Sequence, residues 1–262
     1  ATAGRLTAVP ESDRVLHIQH HDEIAEIRMD RPPANALDHA LVEKLLAALD
    51  TVQVGSTRAI ILTGRPGMFS GGLDVPALID CKRPEIERFW QQFFRLTCRL
   101  ASSPVPVIAA LSGHAPAGGA VLALQCDYRI AIAGNFKIGL NEVQVGLPVP
   151  GTILLALEQV IGARLAQRIA TRGSLLPMTE ALAIGLVDEL VDAESLMSTA
   201  LIRARELLAL PPVAMNTTRL AAKARLIDAY SDCSDVATAT DWWFSTETRT
   251  EMRKLVERLA KK

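Results

Sequence analysis

The sequence is poor in the features that would give it away quickly. Its four cysteines, Cys81, Cys98, Cys126 and Cys233, are widely spaced, with no C-x-x-C pair and no histidines at ligand spacing. That pattern excludes a zinc module and a disulfide framework, and fits reduced thiols in an intracellular compartment. No charge of one sign dominates: 28 Lys and Arg stand against 29 Asp and Glu, a net charge of −1. A surface-wide nucleic-acid footprint is therefore not expected. Long hydrophobic runs are missing too. The most apolar windows, such as 104–112, are short and broken by proline and glycine, well short of the roughly 18 residues of a membrane span. No signal-peptide pattern is visible.

What is there is the composition of a globular protein with a large core. Hydrophobic residues make up 49% of 262 and charged residues 22%, so disordered and fibrous classes are set aside. Residues 1–12 read as a loose N-terminal arm. Two alternating runs, 14–19 and 24–29, joined by the polar "HHDE", predict two strands and a turn. Asp38 can cap the helix predicted over 41–52, where Leu41, Leu45, Ala48, Leu49 and Val52 recur at helical spacing. Strand 59–64, helix 84–101, strand 105–111 and a helical run 119–126 continue the alternation, which indicates an α/β architecture with crossover connections. After residue 150 the strand signal fades. "TILLALEQVIG" and "ARLAQRIATRG" are helical runs closed by glycine; "TEALAIGLVDELV", 193–228 and 236–262 are also helical in period.

Three local features carry chemistry. "FSGGLD" (69–74) and "HAPAGGA" (114–120) each follow a strand. Glycine lets backbone N–H groups approach a ligand closely, and a helix start adds the positive end of its dipole. Either loop alone reads as an ordinary strand-to-helix turn, and neither is a nucleotide-binding glycine motif. The third feature is Glu142 in "KIGLNEVQVG", a lone acid in an apolar setting. A buried carboxylate must be paired, neutralised or used.

Together these pieces resemble the crotonase, or enoyl-CoA hydratase/isomerase, superfamily. The motifs are "RPPANALD", "GMFSGGLDV", "PVIAALSGHAPAGGAVLALQCDYRIA" and "EALAIGLVDELV", over a match from about residue 13 to the C-terminus. The resemblance implies a spiral of ββα units over 13–190 and a helical C-terminal region, 191–262, that builds a homotrimer or a dimer of trimers. It implies an acyl-CoA thioester substrate, with coenzyme A part of that substrate and no metal or other cofactor. It places the thioester oxygen between the N–H groups of Leu73 and Gly118, and the coenzyme A moiety near Ala34, Ala36, Leu37, Gly71 and Gly72. Hydrating family members use two acids; here the first of those positions is Val121 and the second is Glu142. "DYRIA…KIGLNE" is most similar to the Δ3-Δ2-enoyl-CoA isomerase branch, which makes Glu142 the proton shuttle and Asn141 a substrate-pocket residue.

Other candidates have plainer readings. Asp74 faces the pocket or braces its loop, His114 is a turn residue, and Asp127 is a structural anchor. His17, His20, His21 and His39 read as solvated, and Arg253 and Lys254 as helix surface or phosphate contacts. Trp242, Trp243 and Phe244 form a packing cluster or a pocket wall. The alternatives left open are another acyl-CoA hydratase or lyase of the same family and a non-catalytic, RNA-binding protein on the same scaffold. The expected location is bacterial cytoplasm or mitochondrial matrix.

Overall fold

The computed structural model describes residues 15–232 and 234–261; the arm read over residues 1–12 lies outside them. β1 (Leu16–His21) and β2 (Ile24–Met29) form an antiparallel hairpin closed by two residues. Asp22 takes φ 58° at the tip, the positive φ that a tight hairpin turn requires. The first strand therefore runs on through His20 and His21, which the sequence pattern assigned to the turn. α1 (His39–Val54) follows, with Asp38 Oδ1 accepting from Leu41 N at 2.8 Å as its N-cap.

The next three units repeat one plan. β3 (Ala59–Thr63) and β4 (Gly67–Met68) are followed by α2 (Val75–Leu78) and α3 (Arg83–Ala101). β5 (Val107–Leu111) and β6 (Gly113–Pro116) lead into α4 (Gly118–Gln125). β7 (Tyr128–Ile132) and β8 (Lys137–Gly139) lead through a 3-10 turn, Glu142–Val145, into α5 (Gly151–Ile161) and α6 (Ala163–Arg172). In each unit the first strand joins a six-stranded sheet and the second a four-stranded one. After α6 come β9 (Leu176–Pro177), α7 (Met178–Ala183) and β10 (Glu189–Val191). The large sheet runs β1-β2-β3-β5-β7-β10 and is parallel apart from β1; the small one runs β4-β6-β8-β9, with β9 antiparallel. This is the spiral of ββα units.

Helices α8 (Leu196–Leu208), α9 (Pro212–Ala222), α10 (Ala224–Ala229), α11 (Ser234–Trp243) and α12 (Thr246–Leu259) complete the described chain. Two strands interrupt the region read as purely helical. "EALAIGLVDELV" stays helical only to Ala183; Gly185 turns at φ 76°, and Glu189–Val191 pairs in parallel with β7. A three-residue strand is too short to show alternation, so its signal merged with the helical period. Pro211 and Pro212 split the 193–228 run, as proline cannot continue a helix.

The inner strands of the large sheet are buried on both faces, which explains continuous apolar strands such as "AIILT". Ile60 and Leu62 pack with α1, α3 and α4, whereas Ile61, Ile108 and Ile130 pack with Leu196, Ala200 and Ala204 of α8. Asp127 accepts from Val107 N and pairs with Arg219 and Lys223, tying the C-terminal helices to the sheet. Asp235 at the start of α11 accepts from Gly151 N, Thr152 N and Thr152 Oγ1, capping α5 from a distant element.

Candidate active site

The first glycine loop is held from behind by "RPPANALD". Asn35 is fully buried at φ 47°. Its Nδ2 donates to the carbonyls of Met29, Met68 and Phe69 and its Oδ1 accepts from Arg31 N. Ser70 Oγ donates to Asn35 O at 2.8 Å and accepts from Gly72 N. Gly71 N donates to Ala34 O, Leu37 N to Gly72 O, and Asp74 N to Leu37 O. Arg31 clamps the ends of this weave, donating to Ala36 O and pairing with Asp38 at 2.9 Å and Asp74 at 2.7 Å.

This placement sorts the residues singled out in the sequence. Ala34, Ala36, Leu37 and Gly72 are backbone braces of the first loop. Asp74 caps α2 through Ala77 N and pairs with Arg31. Gly71, Leu73, Gly118, Asn141 and Glu142 lie together on the wall of one cavity of about 530 Å³. Asn35, Arg31 and Ser70 were missed. The only local signal was an amide between an alanine and a hydrophobic helix start, because their partners are 30 or more residues away for two of the three carbonyls that Asn35 reaches. Replacing a buried, multiply bonded amide strands several backbone carbonyls. Asn35→Ala is expected to lose about 2–4 kcal/mol of stability in chemical denaturation, from unsatisfied buried groups and the cavity left behind.

The two loops touch at their glycines. A Cβ on Gly72 would lie 3.2 Å from Gly118 N, and one on Gly119 would lie 2.4 Å from Ser70 O. Each N–H singled out follows a residue with positive φ: Gly72 (89°) precedes Leu73, and Ala117 (47°, ψ −121°) precedes Gly118. A non-glycine residue in that conformation stores strain, a mark of a backbone set for a task. The N–H groups of Leu73 and Gly118 have no acceptor among the described residues. Gly118 N also opens a buried helix, where the dipole favours negative charge.

Glu142 sits in the 3-10 turn after β8, 9% exposed, with Oε2 unpartnered among the described residues. Asn141 Oδ1 beside it is likewise buried and unpartnered. Burial pushes the Glu142 carboxyl up to about 7, opposed only by its own backbone N–H. Val121, 3% exposed, lines the same cavity. The rest of the wall is apolar and includes Trp90 and Phe93 of α3 and Met252, Leu255 and Leu259 of α12.

The outlying candidates fall elsewhere. His114 accepts from Lys137 N and packs edge-on against Phe136. Trp243 is buried against Trp90 and so backs the cavity wall, while Trp242 is exposed and Phe244 lies beneath Arg83 and Arg249. Arg253 and Lys254 are exposed and pair with Asp80 and Glu251. Among the described residues no group of acids, histidines or cysteines is placed to hold a metal, and no helix is long and apolar enough to cross a membrane.

An apolar cavity, with two N–H donors unspent among the described residues and one isolated carboxylate on a ββα spiral, belongs to an enzyme. Residues 19–258 match the model of the enoyl-CoA hydratase/isomerase family. Human mitochondrial enoyl-CoA delta isomerase 1 is 37% identical over 200 residues, 75% of this chain and 66% of the human protein. The rat protein is 37% identical over 68% of this chain and 62% of its own length, so the match spans about two thirds of these relatives. A probable enoyl-CoA hydratase of Mycobacterium avium is 34% identical over 71% of this chain and 72% of its own. The crystal structure of human mitochondrial Δ3-Δ2-enoyl-CoA isomerase superposes with a TM-score of 0.91 at 30% identity, covering 95% of this chain and 99% of that one. The chain belongs to the enoyl-CoA hydratase/isomerase, or crotonase, family.

Proposed function

We propose that the chain is a Δ3-Δ2-enoyl-CoA isomerase, which moves the double bond of a 3-enoyl-CoA from C3–C4 to trans C2–C3. The observation that carries this reading is the isolation of Glu142: one carboxylate on the cavity wall, with Val121 on the same wall, the position to which the family resemblance assigns a second acid in hydrating members. Hydration needs one group to deprotonate water and another to deliver a proton to C2, work suited to two carboxylates. Isomerisation needs one proton moved between two carbons of one molecule. The thioester oxygen accepts from Leu73 N and Gly118 N, which makes the C2 protons acidic. Glu142 removes one of them, the electrons spread over the dienolate, and the same carboxyl returns the proton at C4. A carboxyl poised near 7 suits both halves of the task. The step consumes no redox equivalent and needs no metal, and coenzyme A enters and leaves as part of the substrate.

The names of the relatives divide between isomerase and hydratase, so the test sets the two reactions side by side. Short, medium and long 3-enoyl-CoAs are supplied, and 2-enoyl-CoA is supplied separately to follow 3-hydroxyacyl-CoA. Isomerisation is expected to exceed hydration by about 10² or more, the range a missing acid–base partner removes. Faster hydration than isomerisation would overturn the reading. The assembly read with it is a homotrimer or a dimer of trimers, which light scattering measures directly.

A further inference from the structure

Helix α12, which lines one side of the cavity, also touches the turn that carries Glu142, and both contacts fall on one face. Thr248, Met252, Leu255 and Leu259 are spaced at i, i+4, i+7 and i+11, a single stripe of α12. The last three line the cavity. Thr248, fully buried at the head of the stripe, donates its hydroxyl to the carbonyl of Gly146 at 2.5 Å. That hydroxyl is oriented from its other side, since Ser245 Oγ donates to Thr248 Oγ1 at 2.9 Å and accepts from Thr248 N. Gly146, at φ 71°, ends the 3-10 turn with its N–H returned to the Glu142 and Val143 carbonyls. A Cβ there would stand 3.1 Å from Thr248 Cα, so helix and turn meet backbone to backbone. On the far side Gln144 Nε2 donates to Gly173 O at 2.8 Å. The Glu142 carboxylate takes part in no ion pair among the described residues. Its reach is therefore set by this backbone turn.

We propose that Thr248 is a positioning residue: its hydroxyl bond to Gly146 fixes the turn and, through it, where the Glu142 carboxylate stands in the cavity. The inference rests on Glu142 being the proton shuttle. Thr248→Val removes the hydroxyl and keeps the branched shape; Thr248→Ser keeps the hydroxyl. With 3-enoyl-CoA, the valine variant is expected to lose about 10-fold in kcat with KM changed less than about two-fold, the split that marks a misplaced reacting group. Serine restores kcat to within about three-fold, because the bond rather than the methyl carries the effect. Carbon-13 NMR titration of the Glu142 carboxyl, assigned by Glu142→Gln, supplies a readout independent of turnover. Its midpoint moves in the valine variant and stays in the serine one. Wild-type kcat and an unmoved midpoint in Thr248→Val would overturn the proposal, as would a loss shared equally by Val and Ser and tracking their melting temperatures. If the wild-type protein turns over no 3-enoyl-CoA, the isomerase reading fails instead, and the titration alone decides for or against Thr248.

Discussion

Glu142→Gln is expected to fold and to bind acyl-CoA but to lose isomerisation of 3-enoyl-CoA by about 10²–10⁴-fold, the contribution of a positioned general acid–base group. The amide keeps the shape of the carboxyl and cannot take a proton from C2. Near wild-type turnover by this variant would sink the assignment. The same substitution changes how stability depends on pH, and the sign follows from burial. The Glu142 carboxyl stands at about 7 in the folded protein against an ordinary 4.5, so the folded state holds its proton more tightly than the unfolded one. The contribution of Glu142 to stability is then most favourable below pH 4.5 and is lost as pH rises through the folded value. At about 1.4 kcal/mol per pH unit, that interval amounts to about 3–4 kcal/mol withheld from the wild type above pH 7. Glutamine carries no charge to bury. The variant should therefore gain on the wild type in urea unfolding between pH 4.5 and 7.5, and lose that gain at pH 4. A constant difference across the range would mean that Glu142 is not held in a dry site.

The substitution separates two roles one residue can have. A carboxylate kept for structure would be paired, and its removal would destabilise; one kept for chemistry costs stability while it is ionised. The proposed function puts Glu142 in the second kind, in keeping with Oε2 unpartnered among the described residues and apolar side chains around the cavity.

What was legible in the sequence was whatever depends on near neighbours. Asp38 announced its helix, since a cap needs only the next three residues. Gly162 and Gly173 closed their helices at φ 79° and 60°. The glycine loops and Glu142 stood out because each contrasts with an apolar setting. What stayed hidden depends on residues far apart in the chain. Asn35 earns its place through carbonyls on the other loop, and Thr248 acts 102 positions from Gly146. The apolar residues of α12 gave a helical period without telling which surface they would cover. Nor could the short strand Glu189–Val191 be separated from helix until its partner β7 was in place.

Gly72→Ala is expected to lower kcat by about 10²–10³-fold, the loss that follows when one donor to a developing oxyanion is displaced. Two effects combine at this position. Gly72 sits at φ 89°, where an L side chain is strained, and the new methyl would stand 2.9 Å from Ala117 Cβ and 3.2 Å from Gly118 N. Relief comes by moving the first loop away from the second, which separates Leu73 N from Gly118 N. Gly67→Ala tells strain from separation, since Gly67 has a similar φ of 82° but nothing within 4 Å of the added methyl. Both variants should lose stability by about 1–3 kcal/mol from backbone strain, and only Gly72→Ala should lose turnover. Its pH profile keeps the wild-type midpoint, because Glu142 is not on either loop. Equal activity losses in the two variants would show that strain alone slows the enzyme, and that the contact between the loops does not set the donors.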